Sequence, residues 1–280
     1  MQNKALENTV FVLAAGAFGV FLRWLQLQLA FDENGLCGPS VFNVIVPVFI
    51  LIVAWVLRRR IGQTLDVLAL PTGFPSALGN AGRFYAFLRW LLGAIMIGGG
   101  VLMIRGSEVE KLVVMLRLLG GFAFVSGICF PLYLGWANRE IKARQRGLLC
   151  LLGLAPILLF ALWLVYDYIN NAINSVVWAF LIEVATVSTL MLAFFRLAGY
   201  AYGQVQPKKT LFWLQFGIFM SLTVLADDRS TGMQLVFFSA GMMLTLADFI
   251  LLTKLREKTE EEKANEKQAP EPSDGGIEKL

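Results

Sequence analysis

The chain contains no histidine among its 280 residues. That absence excludes His–Ser and His–Cys nucleophilic catalysis, histidine-ligated haem and histidine-containing zinc sites. Charge is scarce too: 16% of residues are Asp, Glu, Lys or Arg, against roughly 25% in a soluble domain. Cysteine is limited to Cys37, Cys129 and Cys150. Three is an odd number, their spacing gives no disulfide framework, and two of them fall in apolar runs where a thiol acts as a small hydrophobe. No metal site and no cofactor is legible. Chemistry without histidine would rest on carboxylates, Tyr, Lys or Cys, so an enzyme is the least favoured class, a histidine-free lipid-modifying enzyme being its one form.

What is present is apolar: 57% of the chain, with a mean hydropathy of +0.66. The charges collect between apolar blocks of about 20 residues, long enough to cross a ~30 Å hydrocarbon core at ~1.5 Å per residue. Backbone groups cannot stay unpaired in lipid, so each block is expected to be a helix. The pattern predicts an all-α, polytopic membrane bundle of about eight spans: 9–29, 41–57, 86–104, 112–136, 148–166, 176–199, 210–226 and 233–253. The first is too long for a signal-peptide core and is expected to be retained. The transmembrane domain is drawn as 1–253, followed by a charged tail, 254–280. That tail should carry about two more helical turns and then be disordered.

The connections alternate in charge. Segments 1–8, 58–85, 137–147, 200–209 and 254–263 hold 15 Lys and Arg, and the four intervening connections hold 3. This asymmetry predicts both termini in the cytoplasm. It also explains the net charge of +4 without nucleic acid. Short loops and compact size point to a bacterial inner membrane. The longest connection, 58–85, opens on Arg58, Arg59 and Arg60. Its Pro71, Gly73, Pro75 and Gly79 argue against one continuous helix. It reads as an interfacial segment or a partner-docking loop. Small residues in the spans (Ala15, Gly16, Gly19, Gly98, Gly99, Gly100, Gly120, Gly121) predict close helix packing.

Charges inside the spans are the candidate site residues. Arg23 lies ~9 Å from one end of its span, Arg117 ~8 Å and Glu183 ~10 Å from the same end of theirs. Three helices thus place a charge in one layer. An unpaired charge there costs ~2.5–3.5 kcal/mol, so these three should meet, with a spare guanidinium for an anion: a carboxylate, a phosphate or a lipid headgroup. Snorkelling to the interface or structural pairing is the plainer alternative. A second layer near the other end combines Asp248 with Arg196 and Arg89, an ion pair or a proton-coupling site. Three further motifs carry less weight. "DDRSTG" at 227–232 and "FDENG" at 31–35 read as solvated acidic turns, or as oxygen sites for a divalent cation. Asp167 in "YD" lies at a span boundary and is not expected to act.

Two functions follow ahead of the enzyme. A small transporter or solute-binding membrane protein would use the Arg23–Arg117–Glu183 layer, and predicts a cavity reaching Arg117. A non-catalytic sensor, scaffold or accessory subunit would act through a protein partner at the 58–85 loop or the tail. It predicts a closed polar layer with a groove at the basic end.

Overall fold

The computed structural model describes residues 2–31, 40–80, 82–107, 112–138, 143–171 and 180–257. Its elements are α1 (Gln2–Ala30), α2 (Phe42–Val67), β1 (Leu68–Ala69), α3 (Phe74–Leu78), α4 (Arg83–Gly106), α5 (Val113–Trp136), α6 (Ala143–Asn171), α7 (Leu181–Tyr202), α8 (Pro207–Thr223), a 3-10 turn (Val224–Ala226), α9 (Thr231–Thr253) and β2 (Arg256–Glu257). Among the described residues, seven helices, α1 and α4 to α9, are long and apolar enough to cross a membrane. Their outward faces expose Phe18, Trp24, Phe87, Trp90, Leu151 and Phe195. Such a surface suits lipid and would be a liability in water.

Helices α4 to α9 pack in sequence, and α9 returns to α4, closing a ring; α1 lies against α8 and α9, and α2 against α1 and α8. Phe130 (α5), Phe194 (α7), Phe160 and Trp163 (α6) and Phe237 (α9) form a continuous aromatic column, with successive centroids 5.4, 5.7, 6.3 and 4.6 Å apart. Glycine lets the outer pair close up. A Cβ on Gly120 would sit 2.5 Å from the Gly100 carbonyl, and one on Gly127 2.7 Å from that of Gly93. Gly98 and Gly121 meet nothing, so in α4 and α5 only part of each expected small-residue cluster serves packing. Gly203 ends α7 at φ +73°, a left-handed cap that a side chain resists.

The expected second span, 41–57, lies inside α2 but does not end there. The helix continues through Arg58–Arg60 to Val67, because nothing before Leu68 breaks it and Leu57, Ile61 and Leu65 bury one face. α2 is not among the seven helices that meet the length and apolarity of a span. The loop expected at 58–85 is thereby shortened to 68–82, which also holds α3. Two helical turns were expected after Lys254. Instead α9 stops at Thr253, and Arg256–Glu257 pairs antiparallel with Leu68–Ala69. The rest of the tail, from 258, lies outside the described residues.

Candidate functional site: a buried charge cluster and a basic end

The helix ends away from the Lys- and Arg-rich connections hold a cluster built around the short α8–α9 link. Arg23 of α1 is fully buried. Its Nε donates to Asp227 Oδ1 at 2.7 Å and its Nη1 to Gln26 Oε1 at 2.7 Å. Gln26 passes the chain on, donating from Nε2 to Asn43 Oδ1 of α2 at 3.0 Å. Gln234 of α9 donates to the Asp227 carbonyl at 3.2 Å. Two residues along the link, Arg229 turns to α7, where Nη2 lies 2.5 Å from Glu183 Oε2. Trp163 Nε1 of α6 donates to Glu183 Oε1 at 3.1 Å. Asp167 of α6 adjoins both Glu183 and Trp163. Three carboxyl groups therefore share two guanidiniums. Asp167, Glu183 and Asp227 are 1–3% exposed, and the Arg229 side chain 23%. Asp167 Oδ2, Asp227 Oδ2 and Arg229 Nε have no hydrogen-bond partner among the described residues.

This cluster corrects the layer drawn from Arg23, Arg117 and Glu183. Arg23 and Glu183 do lie at one end, but each has its own ion-pair partner from the α8–α9 link. Arg117 is exposed and donates from Nε to Ser107 Oγ at 3.1 Å, turning to the end of α4. Depth places a residue along the helix axis. It does not fix direction, and Arg117 points out of the α5 face that buries Leu116, Leu119 and Gly120. The residues missed from sequence are Asp227, Arg229 and Asp167. The signal available was three charges packed into a six-residue link between two spans, too short to leave the protein surface. FDENG falls largely outside the described residues.

The inner pairing is corrected as well. Asp248 is fully buried, and its partner is the Gln215 amide, 3.4 Å from both carboxyl oxygens. Arg196 donates instead to Gln206 Oε1 at 3.2 Å. The Arg89 guanidinium lies over Gly135, beside the carbonyl end of α5, where the helix dipole favours a cation.

Three cavities are described, all at the basic end. The first, about 390 Å³, has walls from Leu65, Leu68, Leu70 and Pro207 and a rim of Lys208 and Lys209. The second, about 300 Å³, shares Leu68 and adds Arg60 and Glu7. The third, about 290 Å³, lies between Phe74, Arg146, Leu149 and Tyr200. Segment 65–75 lines all three. Lys208 also reaches Asp66 at 3.0 Å, an exposed pair worth little in stability.

The chain matches no protein-family model, no curated protein and no solved structure. Fold and composition define its class: an integral, multi-pass membrane protein in contact with the lipid bilayer.

Proposed function

We propose that the protein is a non-catalytic membrane component, a sensor, scaffold or accessory subunit, that acts through a protein partner docked at its basic end. The supporting observation is the division of charge between the two ends. At one end the buried charges face each other. At the other, three cavities lined by segment 65–75 set Arg60, Arg146, Lys208 and Lys209 beside apolar residues such as Leu68, Leu70 and Phe74. Such a surface fits an acidic segment with apolar anchors. The test places a photo-crosslinking residue at Ala69, on the cavity wall, with Asp228 as the control at the opposite end, in the full chain in its native membrane. The expected outcome is one discrete protein adduct from Ala69, weakened by Lys208→Glu with Lys209→Glu. Adducts with lipid alone, or a protein adduct unchanged by charge reversal, would overturn it.

The orientation belongs to the same proposal. Gln26 meets Asn43 at one end, and Arg60 approaches Glu7 to 3.9 Å at the other. α2 therefore runs beside α1 over about 17 residues, or ~26 Å. We take α2 as an eighth crossing, with both termini on the cytoplasmic side and the bacterial inner membrane as the setting. A second reading is a small transporter with an intramembrane anion site, which now draws on Arg229 in place of Arg117. The partly exposed Arg229 with its unpartnered Nε supports it. Native mass spectrometry would test it: an anionic adduct retained by wild type and lost in Arg229→Leu favours transport, and no adduct in either counts against it.

A further inference from the structure

The structure points to a site for a monovalent cation that neither reading of the function uses: we infer that Asp248 and Gln215, facing each other between α9 and α8, reversibly bind a proton. Asp248 lies five residues, ~8 Å, from the basic end of α9 and 17 residues, ~25 Å, from the other. It is fully buried and Gln215 is 3% exposed. A carboxylate in such a place is costly unless paired with a cation or metal. The charged and titratable groups on neighbouring helices are turned elsewhere. On α4, Arg89 covers Gly135 and Tyr85 stacks on Phe249. On α7, Arg196 serves Gln206 and Tyr200 lines the third cavity. On α8, Lys208 reaches Asp66 and Lys209 is exposed. On α1, Glu7 approaches Arg60 and Arg23 holds Asp227. α3 has no charged or titratable residue.

The partner's chemistry carries the inference. A glutamine amide offers N–H₂ on one side and C=O on the other. With Nε2 inward it donates to a carboxylate; rotated by half a turn it accepts from a carboxylic acid. Gln215 can therefore match Asp248 in both protonation states with no second ionisable group. The present contacts, 3.4 Å to each oxygen, are long for N–H···O bonds, whose usual range is about 2.7–3.2 Å. The pair is loosely closed, with room for either arrangement. A lysine or arginine at position 215 would have fixed the carboxylate permanently.

The experiment is infrared difference spectroscopy of the full chain in lipid vesicles between about pH 5 and about pH 9, in potassium and in sodium buffers. Wild type should show a protonated-carboxyl C=O band that disappears reversibly as pH rises and is missing in Asp248→Asn. Gln215→Leu retains the carboxyl but should move the titration, and this arm keeps the test open if the Asn variant does not fold. Sodium sensitivity at constant pH would identify the bound cation as Na⁺ rather than the proton, and so overturn the proton assignment. A band that does not titrate, or one unchanged by both substitutions, would refute the site. Neither result bears on crosslinking at Ala69.

Discussion

Replacing Arg23 by methionine is the most direct test of the buried cluster. The Arg23 side chain is 0% exposed and that of Asp227 is 4%, so neither ion can turn to water. Removing the guanidinium strands Asp227 Oδ1, while Oδ2 already lacks a partner and Arg229 is held by Glu183. It also takes a 2.7 Å donor from Gln26. Removing one member of a buried pair costs about 3–5 kcal/mol. That lowers the folded-to-unfolded ratio by roughly two to three and a half orders of magnitude. Asp227→Leu should cost a similar amount, because it leaves the buried guanidinium without the Asp227 carboxylate. The double variant should fall well short of the sum, since two buried charges are removed together, with a coupling energy up to about 3 kcal/mol. The assay is equilibrium unfolding in lipid bicelles for all four proteins. If Arg23→Met costs less than about 1 kcal/mol, or the two changes simply add, water or lipid headgroups reach Arg23 and the closed cluster is wrong.

Further outcomes follow from the same geometry. Arg117→Leu should change stability by less than about 1 kcal/mol, because its hydrogen bond to Ser107 is made by an exposed side chain; a loss comparable to Arg23→Met would show that α5 turns it inward. Gly120→Val should destabilise by about 1–3 kcal/mol or more, since its Cβ would meet the Gly100 backbone, and Gly121→Val should be near neutral; equal effects in thermal unfolding would refute the α4–α5 seam. With the native cysteines replaced, Gln63→Cys and Gln204→Cys should react with a membrane-impermeant thiol reagent from one face and Asp228→Cys from the other. Labelling of Gln63→Cys from the Asp228 face would remove α2 as a crossing.

Helix positions were legible because hydrocarbon thickness writes itself into sequence as run length. The run at 112–136 became Val113–Trp136 and the run at 86–104 became Arg83–Gly106. Rotation about each axis was not legible. In α7 the buried stripe passes through Ile182, Glu183, Thr186, Val187 and Leu190, but it mixes polar with apolar residues and Val184 and Ala185 beside it are apolar as well, so no amphipathic period marks the inward side. For the same reason Arg117 and Glu183 looked equivalent at equal depth, and only their surroundings tell them apart. The α8–α9 link failed differently. DDRSTG has the composition of a solvated turn, yet Asp227 and Arg229 fold inward because two buried charges of opposite sign, Arg23 and Glu183, wait beneath them. Only the joint placement of four helices shows that.

The two ends of the bundle solve one electrostatic problem in opposite ways. Where Arg23 and Glu183 are buried, the protein supplies a counter-charge to each from its own link, Asp227 and Arg229. Held this way, the fully buried Arg23 fixes helix packing. At the basic end the cations stay outside: Arg59 lies over Trp55 with 5.5 Å from guanidinium to ring centroid, and Arg60 over Phe11 with 4.1 Å, their apolar stems covering the helix surface. Such charges cost little, hold little shape, and stay available to whatever approaches Leu68 and Leu70. Asp248 fits neither pattern. It is as deep as the first group and has no cationic partner among the described residues, so a fixed structural role explains it least. The basic end supplies surface for an encounter, and Asp248, one and a half turns inside it, supplies a charge whose presence depends on what the protein has bound.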